Sequence, residues 1–274
     1  RWGRSICQWG TRSDTLVVGY RPDTVRDLHA LVDFVRRVGR GQAFRNLQHE
    51  HRRAAEKNFR SGCKYTAAMF KANPSILILR IDLYYRPDPV GFTYGHVADK
   101  SLESYLRALR RRRVIPGYLG SMIKRAAGPG RGMHYHLVVY VEARLHRCAW
   151  FLIQALGERW RDQVGREKGS YFNCCGWQDR FHYNALGLVH VSDVVRLVGV
   201  RLMIWSMSKH DCKLKIDSRK AKDFWRSKMP AVAKNGGTPP AHGIGLVKRM
   251  LGGPRSQYPK GLAPVPAERG YGNM

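Results

Sequence analysis

No run of eighteen apolar residues occurs in these 274 residues, so a membrane-spanning helix is not expected and the chain is read as soluble. Acidic residues are scarce: 20 Asp plus Glu stand against 49 Lys plus Arg, a formal charge of +29. A chain so charged repels itself unless polyanions or counterions sit close by, and a merely solvated basic surface accounts poorly for the excess. Nucleic acid is the leading partner, because each neutralised phosphate releases condensed counterion; anionic membrane comes second. CxxC spacing is missing from the six cysteines, and adjacent Cys174 and Cys175 do not suit a structural zinc site, so reduced thiols are expected. The start at Arg1, with neither Met nor an apolar leader, reads as a processed or truncated chain. No internal repeat is visible.

Hydrophobic residues make up 43% and aromatics 11%, with seven Trp and nine Phe, so a folded core is expected. Val25, Leu28, Val32 and Val35 recur at helical spacing behind an Asp23-Thr24 cap. From Gly41 to Lys71, basic residues mix with Phe44, Phe59 and Tyr65, reading as a basic helix and connector that is either a solvated face or a DNA contact.

The segment 76–85, ILILRIDLYY, is the strongest strand, bounded by Pro74 and Pro87. Alternation puts Arg80, Asp82 and Tyr84 on one face, and an Asp there needs an Arg, solvent or a site. Leu102, Tyr105, Leu106 and Leu109 mark a helix ending in Arg110, Arg111, Arg112 and Arg113, which either complement the macrodipole or clamp phosphate. Strands over 118–123 and 134–141 flank the AAGPGRG turn, giving a hairpin. Amphipathic helices follow, one through Leu145, Leu152, Leu156 and Trp160 and one from Ser192 to about Lys209. The order predicts an α+β fold with a central antiparallel sheet flanked by helices. Three regions are expected: a helical basic segment over 1–72, the sheet-bearing domain over 73–233, and a Gly/Pro-rich basic tail over 234–274 that is largely disordered and forms no packed domain of its own.

On the 134–141 strand, His134 and His136 share a face while Tyr135, Leu137 and Val139 point to the core. Two imidazoles one pleat apart either share a divalent cation or are a half-exposed pair of no special role. The segment GSYFNCCGWQDRFHY interleaves aromatics with Arg180 and His182, suiting either unpaired bases or core closure.

The HYHLVVY strand, preceded by RIDLYY and followed by a helix ending in SMSK, resembles the three motifs of HUH endonucleases. In their order and spacing, ILILRIDLYY, RGMHYHLVVY, WSMSKHD and DFWRSKMP resemble the replication initiators of filamentous bacteriophages, over about 76–230. The resemblance implies a bacterial cytoplasmic protein of phage or prophage type that nicks single-stranded or hairpin origin DNA in rolling-circle replication, with host replication proteins as further partners. It implies metal-assisted transesterification, with Mg²⁺ or Mn²⁺ held by His134, His136 and a third polar ligand and a tyrosine attacking phosphorus. Lys209 takes the position of the cation beside the phosphate.

Two departures stand out. The nucleophile position, one turn before Lys209, holds Ser206, and that helix has no Tyr; Tyr171 and Tyr183 are nearby replacements that their spacing does not select, and packing or base stacking is the favoured reading of both. From 104 to 141 there is no Asp, Glu or Gln, whereas Lys124, Arg125 and Arg131 join the arginine run as candidate nucleic-acid contacts. An acid-free, cation-rich strand repels a bare metal ion unless Asp82 supplies the missing oxygen ligand. Lacking tyrosine and carboxylate, the chain reads alternatively as a degenerate nucleic-acid-binding module or a structural nucleic-acid protein.

Overall fold

A β-branched and aromatic run with no Gly or Pro inside it can only satisfy its backbone in a sheet, and residues Ser75–Tyr85 form the central strand β1. The computed structural model describes residues 22–86, 95–111, 114–128, 132–146, 149–176, 183–209, 223–230 and 241–254. It divides into two units, residues 1–50 and 51–274. The first holds helix α1 (Pro22–Arg40) and the start of α2 (Gln42–Ala72). The second holds the rest of α2, then β1, α3 (Gly95–Arg110), β2 (Tyr118–Gly128), β3 (Gly132–Glu142), α4 (Ala149–Val164), β4 (Gly169–Asn173), β5 (Gly187–His190), α5 (Val194–Ser208), β6 (Phe224–Arg226) and α6 (Ala241–Leu251).

The architecture is α+β, with a six-stranded sheet in which every pairing is antiparallel. The order β4-β1-β3-β2-β6 places the segment from β1 to β4 in a split β-α-β arrangement. β5 shares the outer edge of β1 with β4: β4 pairs with 81–85 and β5 with 75–78, which leaves Leu79 and Arg80 between them.

Each sheet face has its own helices. Leu83, Tyr85 and Tyr135 point toward α3 and α4, where the Trp160 ring meets Tyr85, Tyr105 and Tyr135 edge-on at 5.2, 5.6 and 6.1 Å. Burying an indole there requires a partner for its N–H, and Nε1 donates to the Tyr84 carbonyl at 3.1 Å. On the opposite face lie Tyr140, Met122 and the two histidines. There α2 lays Tyr65 and Met69 on the sheet, with Thr66 Oγ1 2.6 Å from the Tyr140 hydroxyl. The approach is close enough that a β-carbon at Gly120 would strike the Tyr65 hydroxyl and one at Gly62 would strike Ile204 of α5. Asp193 caps α5 by accepting from the Arg196 N–H, one residue beyond the expected start at Ser192.

Two expected boundaries move. The second half of α2 is core, so the division falls at residue 50 rather than 72. The segment 234–274 is not a tail throughout: α6 buries Leu246, Val247, Met250 and Leu251. The carbonyls just beyond it are gathered by the buried Arg201 guanidinium, which donates to Gly252 and Pro254 at 2.7 and 2.8 Å. Among the described residues no helix is long and apolar enough to cross a membrane.

Candidate functional site

Register decides which side chains meet. β1 and β3 pair so that Asp82 lies opposite His136 and Tyr84 opposite His134, and Arg80, Asp82, Tyr84, His134 and His136 share one face. The His136 Nδ1–H donates to Asp82 Oδ1 at 2.8 Å. Arg80 Nε donates to the same oxygen at 3.4 Å, and the Tyr84 hydroxyl donates to Asp82 Oδ2 at 3.5 Å. Tyr84 also stacks on His134, ring centres 5.2 Å apart and planes 24° apart. Burial alone would push the Asp82 carboxyl up; the Arg80 guanidinium and the His136 imidazole together outweigh it and hold it well below the usual carboxylate range.

A carboxylate only accepts, so the shorter contact puts a proton on His136 Nδ1, although Arg80 Nη2 also lies 3.3 Å from that nitrogen. The His134 Nδ1–H likewise donates to the Gly132 carbonyl at 3.2 Å. A neutral ring held in this way carries its lone pair on Nε2, the tautomer that metal-ligating histidines adopt when a carboxylate or carbonyl holds the other nitrogen. The ring centres stand 5.0 Å apart at 85°. With metal–nitrogen bonds of about 2.1 Å, two imidazoles on one ion would show a separation of this size. His134 and His136 thus fit a two-nitrogen set. Among the described residues no three His, Cys, Asp or Glu side chains gather as a metal site. Asp82, expected as the third ligand, is placed behind His136 as the group that orients it.

The other expected site residues are scattered. Lys124 lies beside His136 on β2, yet it is 4% exposed and its Nζ meets Asp223 Oδ2 at 2.6 Å. Arg125 is also 4% exposed, on the opposite face, with its guanidinium over the Trp225 ring. Neither presents a cation to a phosphate in this arrangement. Arg110 and Arg111, at the end of α3, are exposed; Arg112, Arg113 and Arg131 lie outside the described residues.

Ser206 is on α5 as expected, and its hydroxyl donates to the Met203 carbonyl at 2.8 Å. It lines a cavity of about 20 Å³, room for a single water, together with Arg80, Tyr183 and Met203. Lys209 is exposed and holds its ammonium 4.1 Å from the Trp205 ring centre. Tyr171 is on the wrong side: its ring fills the space over Gly157 of α4 and its hydroxyl donates to Glu158 at 3.3 Å. Tyr183 is on the histidine side, beside Arg80.

Three participants escaped the sequence reading. Alternation had placed Arg80 and Tyr84 on the face of Asp82, but nothing local marked them as its partners. Asp223 carries no sequence signal at all, since its contact with Lys124 joins positions 99 residues apart. The described cysteines Cys63, Cys174 and Cys175 are buried free thiols.

No family model, no curated protein and no solved structure matches this chain.

Proposed function

We propose that this chain is an HUH-type nickase that acts on single-stranded or hairpin DNA, in a phage-derived replication initiator working in the bacterial cytoplasm. The observation that carries the reading is the pair of imidazoles on β3, each with its Nδ1 engaged by a neighbouring oxygen, so that Nε2 would be the nitrogen to meet an ion. A divalent cation, Mg²⁺ or Mn²⁺, held by His134 and His136 would neutralise the non-bridging oxygens of the scissile phosphate. Asp82 keeps His136 in its tautomer and plane. Arg80, between that carboxylate and the cavity at α5, adds a fixed positive charge where phosphate would sit. The antiparallel sheet with helices on both faces supports the HUH-like architecture, and the +29 charge supports a polyanionic substrate.

The attacking hydroxyl then comes from Tyr84 or Tyr183, since Ser206 gives its proton to a backbone carbonyl and a serine needs a base to attack. Incubation with Mn²⁺ and end-labelled origin-like single strands is expected to yield a cut strand or a covalent adduct, lost in His134→Ala with His136→Ala. No product with any divalent cation defeats the enzyme reading.

Ser206 at the nucleophile position favours a second reading, a binding module that has given up cleavage. Under it, the double histidine variant binds DNA as the parent does and neither cuts.

A further inference from the structure

Among the described residues nothing covers the apolar stripe of helix α1. Every residue from Asp23 to Arg40 is exposed, including Val25, Leu28, Leu31, Val32, Val35 and Val38 at 37–58%. At 100° per residue these six occupy one side of the helix, with Arg26, Asp33 and Arg40 on the other. An exposed apolar stripe this long is an interaction surface.

The charges narrow the occupant. In a chain of +29, this helix sets four arginines against three aspartates, so its polar side lacks the basic excess that anionic lipid or DNA phosphate would demand. Those charges are also sorted along the axis: Asp23 and Asp27 outnumber Arg26 in the first two turns, and the last two carry Arg36, Arg37 and Arg40. A second copy laid antiparallel sets the acidic turns of each helix against the basic turns of the other, whereas a parallel pair stacks arginine on arginine. The intrahelical pairs Arg26–Asp23 and Arg36–Asp33 are more than half exposed on both partners and hold these charges weakly.

We infer that α1 is a self-association helix that joins two copies of this chain antiparallel through its apolar stripe, with Leu31 at the twofold midpoint. The proposal is independent of the nuclease reading. Sedimentation equilibrium of the full chain, free of nucleic acid and in high salt, is expected to give twice the chain mass. Leu28→Glu with Val35→Glu is expected to halve it while leaving the circular dichroism and DNA cleavage or binding unchanged. Substituted singly, Leu31→Cys is expected to form a disulfide with its own copy, mapped by mass spectrometry, and Val25→Cys none with its own. A parent chain that is monomeric at every concentration, a dimer untouched by the double variant, or a self-linked Val25→Cys with no self-linked Leu31→Cys would each overturn it.

Discussion

Lys124 Nζ lies 2.6 Å from Asp223 Oδ2, and the side chains are only 5% and 11% exposed. The pair ties the segment entering β6 to β2, a link the Arg125 N–H reinforces by donating to the Asp223 carbonyl at 2.8 Å. Removing one partner strands the other charge in a dry setting, at a cost of about 3–5 kcal/mol, whereas an apolar pair of similar volume is roughly neutral. Urea unfolding of Asp223→Leu should therefore show a large loss, and Lys124→Met with Asp223→Leu should recover most of it. Equal losses in the single and double variants would show that the charge is not what the single variant leaves uncompensated.

Asp82→Asn keeps the shape behind His136 while removing the charge that fixes the imidazole proton on Nδ1. Loss of such an orienting carboxylate typically costs 10–100-fold in metal affinity or activity. If His134 and His136 hold the ion that cleavage uses, Mn²⁺ affinity and single-turnover cleavage should both fall by about that factor, with the circular dichroism spectrum retained. Parental Mn²⁺ affinity in this variant would remove Asp82 from the site.

Much of that site could be read beforehand because alternation along one strand is local. Arg80, Asp82 and Tyr84 on one face, and His134 with His136 on one face, follow from a period of two. That the two faces are the same one, with Asp82 against His136, is a matter of register between strands 54 residues apart, which sheet packing decides. β4, β5 and β6 have five, four and three residues, too few for alternation to declare itself, and they exist because β1 and β2 offer open edges. α6 was hidden by the Gly and Pro on either side of it. Its Leu246, Val247 and Met250 are visible as helix-spaced residues only once α5 is in place to receive them.

If cleavage proceeds through a tyrosine, the labelled peptide should contain Tyr84 or Tyr183 and never Tyr171. Tyr84 presents its hydroxyl 3.5 Å from Asp82, and Tyr183 lines the cavity with Arg80. The Tyr171 hydroxyl serves Glu158 on the other side of the sheet, so Tyr171→Phe should cut at the parental rate. Protease digestion of the adduct followed by mass spectrometry decides the matter, and an adduct on Tyr171 would contradict the placement.

Alkaline pH should unfold this protein in a particular window. Burial pushes the phenols of Tyr65, Tyr105 and Tyr140 above the ordinary tyrosine range and the Cys63 thiol up to about 12. The native state keeps these groups neutral, while the unfolded chain releases the thiol proton near pH 8.5 and the phenol protons near pH 10. Because the folded values are raised, their stabilisation is intact below about pH 8.5 and declines as the pH climbs. Each such group costs about 1.4 kcal/mol per pH unit once its unfolded value is passed. Urea midpoints should fall steeply from pH 9 upward, with the phenolate absorbance of these tyrosines appearing only with unfolding. A midpoint that holds constant to pH 11 would contradict their burial as neutral groups.

Salt dependence separates the cations that face solvent from those spent inside. Each phosphate contacted by a cation contributes about 0.7 to the slope of log affinity against log salt on single strands. Arg110 and Arg111 are exposed at the end of α3, whereas Lys124 belongs to Asp223. Arg110→Ala with Arg111→Ala should flatten the slope by about 1.4 if each contacts one phosphate. The compensated Lys124→Met, Asp223→Leu variant should bind with the parental slope, because its lysine never displaced a counterion from DNA. A reduced slope in that variant would mean that Lys124 leaves Asp223 when DNA binds, and the buried pair would then be a switch rather than a strut.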